Sequence, residues 1–219
     1  MGAITQLTAK DGHRLSVYRA DPIGSARGGI VLLHEIYGLT AQVRGIADWL
    51  ADEGFAVIAP SLFDRAEKGL EIDYTEAGAE RGRALRDAIG WDAPLIDIAA
   101  AREALPPGKV AAVGESYGGS LAWRVAASLP FAAAVCGSPG NLADFLHETP
   151  NCPVLIHFGA HDPKTPPELR ARACAIPGVA AAEYAAGHAF TCPVRDGYDA
   201  AATRAAEAAT LAFLSNRLG

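Results

Sequence analysis

The chain has 219 residues, half of them hydrophobic, and a formal net charge of −6. That length suits one domain, residues 1–219, with a sizeable core. The acidic balance, with no Lys/Arg cluster against it, excludes a nucleic-acid surface, and no run reaches the ~18 apolar residues needed to span a bilayer. The N-terminus lacks the basic-then-apolar form of a signal peptide, and Gln6 breaks the myristoylation pattern. Cys136, Cys152, Cys174 and Cys192 form no C-x-x-C pair and no zinc spacing, so buried free thiols in a reducing cytoplasm are expected.

The opening ITQLTAKDGHRLSVYRA (4–20) alternates around Asp11-Gly12, which predicts an antiparallel hairpin on a sheet edge. GGIVLL (28–33) is a buried-strand run, followed by a helix over 41–54 and a second run, GFAVIAP (54–60). A helix over 93–105 precedes KVAAVG (109–114), and another helix begins after Ser116. FAAAVCG (131–137) and CPVLIHFG (152–159) come next, then a helix over 165–175 and a weaker sixth run, AAAEYA (180–185). The Ala-rich tail 196–218 carries Leu211 and Leu214 at helical spacing and reads as a docked helix. The runs lack polar alternation, as expected for strands covered on both faces. Strands alternating with helices predict an α/β fold: a mostly parallel twisted sheet with helices on both faces, plus the hairpin.

One junction carries chemistry. Val110–Gly114 leads into Glu115-Ser116-Tyr117-Gly118-Gly119 and then a helical pattern. A serine on a sharp strand-to-helix turn points its hydroxyl away from its own backbone, beside the positive end of the helix. Gly114 and Gly118 remove side chains that would clash there. A serine nucleophile needs a base, and the base an orienting acid. Asp162 follows CPVLIHFG and His188 follows AAAEYA, so Ser116, Asp162 and His188 each sit at a strand's carboxyl end, in the order this architecture uses. His13 belongs to the hairpin, His147 to a helix, His157 to mid-strand, and His161 adjoins the acid.

The loop HEIYGLT after the first core strand supplies the fourth element. It offers a backbone N–H, from Ile36 or Tyr37, to pair with that of Tyr117 in an oxyanion hole. Glu35 is the odd residue, because a carboxylate facing a developing oxyanion is unfavourable; it must pair elsewhere or take a switching role.

These motifs resemble the dienelactone hydrolase family of α/β-hydrolases, from GGIVLLHEIYGLT through KVAAVGESYGGSLAW and VLIHFGAHDPKTP to GHAF. The resemblance implies opening of an enol-lactone by a Cys-His-Asp triad, with the loop glutamate holding the resting nucleophile. Glu35, Asp162 and His188 match that pattern. The usual cysteine is Ser116 here, and the arginine often found four residues past the histidine is Cys192. An anionic substrate would then be gripped by Arg81 and Arg83, on the charged segment EAGAERGRALRDAIGWD, or by Arg195, with Tyr37 beside them. The expected activity is hydrolysis of small carboxylic esters or lactones through an acyl-enzyme, without metal or organic cofactor, by a monomer or small homo-oligomer in the cytoplasm. A thioesterase or peptidase on the same frame, and a non-catalytic binding protein, remain as alternatives.

Overall fold

The computed structural model describes residues 1–219. The chain divides into two compact units, Met1–Val110 and Ala111–Gly219. In the first, β1 (Ala3–Thr8) pairs antiparallel with β2 (Arg14–Ala20), which pairs antiparallel with β4 (Ala56–Pro60); β4 pairs parallel with β3 (Gly29–Leu33). The hairpin turns at Gly12, whose φ of 83° suits glycine. β3 and β4 are buried at every position, which is the environment their unbroken apolar runs require. α1 (Ala41–Asp52) buries Val43, Ala47, Leu50 and Ala51, one stripe at helical spacing.

The charged segment singled out for its arginines forms a further helix, α2 (Glu76–Ile89), capped by the Thr75 hydroxyl, which accepts from Gly78 N at 3.0 Å. Its buried residues are Gly78 and Gly82, so no apolar stripe marks it in the sequence. A Cβ at Gly82 would overlap the Ile36 carbonyl, and one at Gly78 the Asp73 carbonyl. α3 (Ala93–Glu103) buries Asp97, whose carboxylate receives two bonds of 2.7 Å from Arg65; Arg65 also reaches Asp11 at 2.9 Å. One cation thus ties the hairpin turn to a helix.

The second unit is all parallel: β5 (Val110–Glu115), β6 (Ala133–Gly137), β7 (Val154–Gly159) and β8 (Val179–Tyr184) pair in chain order. Ala111, Ala112, Ala133 and Ala134 are fully buried, small enough for α4 (Tyr117–Ser128) to pack closely. Trp123 of α4 is also fully buried, and its indole N–H donates to the Phe145 carbonyl at 2.9 Å. That carbonyl ends α5 (Leu142–Phe145); His147 lies in the turn beyond it rather than in a helix. β8 departs from the expectation of strands covered on both faces. None of its residues is fully buried, because it is an edge strand paired with β7 alone.

α6 (Pro167–Cys174) buries Leu169 and Ala173 but leaves Cys174 exposed; of the other thiols Cys136 and Cys192 are buried and Cys152 half-buried. α7 (Ala200–Leu218) starts later than residue 196, because the Asp199 side chain caps it by accepting from Ala201 N and Ala202 N at 2.9 and 2.8 Å. It docks through Thr203, Ala206, Thr210, Leu214 and Leu218. No helix is long and apolar enough to cross a membrane.

Two buried histidines knot these units internally. In the first, the His34 ring meets the Glu35 carbonyl at 2.6 Å and accepts from Leu62 N at 3.1 Å. In the second, His157 of β7 meets Tyr184 Oη at 3.0 Å and Thr210 Oγ1 at 2.8 Å. Burial pushes each imidazole down to about 4. The unfolded chain, with ordinary histidines near ~6.5, therefore binds more protons between pH ~6.5 and ~4, and stability falls as pH falls through that window. Each histidine contributes at most about 3 kcal/mol of this loss. Urea unfolding from pH 7 to pH 4.5 is expected to show a steadily falling midpoint, and His157→Asn to remove roughly half of the slope. A midpoint flat between pH 7 and 5 would contradict it.

Candidate active site

Ser116 occupies the N-cap of α4 with φ 53° and ψ −107°. Such a φ strains any residue with a Cβ. The turn holds because β5 and α4 nearly touch. A Cβ at Gly114 would overlap the Gly118 backbone, and one at Gly119 the Gly137 carbonyl. Gly119 therefore joins Gly114 as a glycine that the turn requires. The Ser116 N–H donates to the Gly137 carbonyl at 2.9 Å.

A serine at an N-cap ordinarily turns its hydroxyl onto the helix's own N–H groups. Ser116 makes no such bond. Its Oγ lies 2.9 Å from His188 Nε2 instead. His188 Nδ1 lies 2.7 Å from Asp162 Oδ2, and the Asp162 side chain is fully buried. Burial pushes the Asp162 carboxyl up. The His188 hydrogen bond and charge, the Lys164 backbone N–H at 2.9 Å and the Lys164 charge outweigh that, and it ends below the ordinary carboxylate range. An ionised Asp162 accepts only, so Nδ1 carries the imidazole proton and Nε2 presents its lone pair to the Ser116 hydroxyl.

The chain around His188 is held on both sides. The Ala186 carbonyl accepts from His161 N at 3.0 Å, and Ala189 N donates to Ser138 Oγ at 3.1 Å. A Cβ at Gly159 would overlap the Ala186 and Gly187 carbonyls, so the loops bearing the acid and the base lie directly against each other. Beyond them Phe190 packs with Ala186 and Ala206, and its carbonyl accepts from Asp199 N at 3.0 Å. Thr191 donates to Glu115 Oε2 at 3.0 Å, tying the histidine loop to the elbow.

The structure thus brings Ser116, Asp162 and His188 into one hydrogen-bonded line. Glu35, Ile36 and Tyr37 lie in the other unit, on the loop leaving β3. Glu35 is buried, with its carbonyl on the His34 ring. Tyr37 is buried against the Tyr74 ring, centroids 4.2 Å apart, and its carbonyl accepts from Ile72 N at 2.9 Å. Arg81 is engaged by both carboxylate oxygens of Glu67 at 2.7 Å, Arg83 is exposed and Arg195 half-buried.

Two residues near the line are absent from the candidates drawn from sequence. The Lys164 ammonium stands 3.4 Å from His188 Nε2 and packs over Gly140. Ser138, just past β6, holds Ala189. Lys164 lies two residues past the acid and Ser138 at a strand's carboxyl end, signals too common to single either out. Burial raises the Cys136 thiol and lifts that of Cys152 to about 11, the opposite of activation.

A parallel sheet leading into a strained N-cap serine, with an acid and a histidine on later strand ends, defines an α/β-hydrolase. The model of the dienelactone hydrolase family matches residues 15–218, and the chain belongs to that family. Carboxymethylenebutenolidase of Pseudomonas putida is 31% identical over 94% of this chain and 92% of its own. Carboxymethylenebutenolidase 1 of Cupriavidus pinatubonensis is 30% identical over 96% and 95%. Among solved structures, a dienelactone hydrolase-like promiscuous phosphotriesterase from metagenomic libraries superposes with a TM-score of 0.79 at 23% identity, covering 100% and 99% of the two chains. An esterase of Pyrococcus furiosus superposes at 0.71 with 17% identity, covering 100% and 93%. These two likenesses carry the fold, and family membership carries the class of reaction, hydrolysis of a carboxylic ester or lactone.

The elbow's tolerance is testable. Gly114→Ala drives a methyl into the first turn of α4, and overpacking of this kind costs about 1–3 kcal/mol. Denaturant unfolding is expected to register that loss, with ester hydrolysis falling by more than the unfolded fraction explains. Wild-type stability in Gly114→Ala would refute the close approach.

Proposed function

We propose that this chain hydrolyses small carboxylic esters or lactones with Ser116 as nucleophile, through an acyl-enzyme. The observation that supports this reading best is the N-cap hydroxyl that leaves its helix uncapped to meet His188 Nε2. In this mechanism Ser116 Oγ attacks the carbonyl carbon as its proton passes to Nε2. Asp162 holds the ring in the tautomer that accepts this proton and stabilises the imidazolium. The N–H of Tyr117, at the positive end of α4, takes the oxyanion. His188 then protonates the leaving oxygen, and a water activated by the same Nε2 releases the acid and restores the hydroxyl.

The relatives' name denotes a butenolide bearing a carboxymethylene group, an anion at neutral pH. For a carboxylate on such a substrate, Lys164 offers an ammonium 3.4 Å from His188 Nε2. The role that the family resemblance implies for Glu35, holding a resting thiol, does not carry over unchanged to a serine. A thiol has to be deprotonated and brought to its base, whereas the Ser116 hydroxyl already aims its one proton at His188.

Ser116→Ala is expected to fold and to lose ~10⁴-fold or more in kcat/KM, with no covalent adduct from a fluorophosphonate by mass spectrometry. An adduct on another residue would end the assignment. Asp162→Asn is expected to cost ~10⁴-fold by reversing the imidazole tautomer; near-full activity there would move the orienting role elsewhere. A carboxylated lactone is expected to exceed its methyl ester by at least ~10-fold in kcat/KM, about 1.4 kcal/mol, and Lys164→Met to shrink that ratio. Equal values for acid and ester in the wild type would leave a general esterase.

A further inference from the structure

β6 supplies none of the three side chains in the hydrogen-bonded line, yet its carboxyl end is bonded to the element carrying each of them. The Gly137 carbonyl accepts from Ser116 N at 2.9 Å. Ser138 N donates to the carbonyl of His157 at 2.9 Å, on β7, the strand that leads to Asp162. Ser138 Oγ accepts from Ala189 N, next to His188, at 3.1 Å.

The backbone marks the same place. Ser116, Ser138 and Ala189 are the non-glycine residues with positive φ, at 53°, 38° and 53°. Such conformations persist where the surroundings hold them, and they gather at functional sites. Here the strained residues are linked to one another. Ser116 is bonded to Gly137, Ser138 follows it, and the Ser138 side chain holds Ala189. Of the two anchors flanking His188, the bond from His161 N to the Ala186 carbonyl is backbone to backbone, and many sequences would supply it. The bond to Ala189 N needs a hydroxyl at position 138. Ser138 is fully buried, so no bulk water replaces that acceptor if it is removed.

We propose that Ser138 is a positioning residue for His188. By holding Ala189 N it fixes the direction in which the imidazole bridges Asp162 Oδ2 and Ser116 Oγ. The inference rests on the reading of Ser116, His188 and Asp162 as the catalytic line. Its energetic logic is that of any preorganised site, where a displacement of ~1 Å costs up to ~10²-fold in rate.

The test uses Ser138→Gly, which relaxes the positive φ while deleting the hydroxyl, so strain and hydrogen bond change in opposite senses. Four quantities are compared with wild type: the melting temperature, kcat and KM on a neutral aryl ester, and the low-field proton resonance of the His188 Nδ1–H bonded to Asp162. The expected result is a melting temperature within a few degrees of wild type, a fall in kcat of ~10- to 100-fold with KM changed less than ~3-fold, and a broadened or lost resonance. A residue that only fills buried space would leave the resonance and kcat intact, and that result overturns the proposal. So does a fall in kcat with the resonance unchanged. Should Ser138→Gly not fold, Ser138→Cys keeps the volume with a weaker acceptor and carries the same comparison. The resonance needs no substrate. A wild-type protein that neither turns over esters nor is labelled at Ser116 would sink the hydrolase reading, and the spectra would still decide the role of Ser138.

Discussion

The close approach of strand β5 to helix α4 is the constraint from which the site follows. Because Gly114 lies against the Gly118 backbone, the chain has no room for an ordinary strand-to-helix connection. It turns through Ser116 at positive φ, and that geometry aims the hydroxyl away from the helix it would otherwise cap. The same turn sets Ser116 at the N-terminus of α4, where a developing negative charge is favoured. Buried alanines on β5 and β6 make the approach possible, and the fully buried Trp123 secures the helix behind it.

Strain and burial are distributed accordingly. The positive-φ residues with side chains all belong to the network around the Ser116 hydroxyl, while β6 and β7 beneath are buried at every position. Asp162 is a buried charge, tolerable because both carboxylate oxygens accept hydrogen bonds, one from His188 and one from Lys164 N. His34 and His157 are buried too, and burial keeps them neutral, so that each serves as a hydrogen-bonding strut within its own unit. Of these three imidazoles two thus serve as struts and one faces the Ser116 hydroxyl, each role set by the partners it meets.

Charge follows a similar division. The protein is acidic overall, and several arginines are taken up by carboxylates: Arg65 by Asp97, Arg81 by Glu67, Arg124 by Glu148. A lysine ammonium, that of Lys164, lies 3.4 Å from His188 Nε2. A cation there would attract an anionic group on a substrate, which is the physical reason it bears on the choice of substrate.

The amino-acid sequence by itself determined the alternation of buried strands with helices, the elbow at Ser116 and the chain order of Ser116, Asp162 and His188. These features are local. A buried parallel strand must be an unbroken apolar run, and an elbow must carry its glycines within a few residues of its serine, so both are written in adjacent positions. Helix α2 escaped because it packs through glycines rather than an apolar stripe, and the open face of β8 because nothing in AAAEYA says that it pairs on one side only. Tertiary structure alone decided that Ser138 meets Ala189, 51 residues away, that Lys164 stands beside His188, and that His34 binds Leu62 N across 28 residues. A hydroxyl, an ammonium or an imidazole has no sequence period of its own. Its role is set by the groups that folding brings within ~3 Å of it, and no pattern of neighbours along the chain encodes that distance.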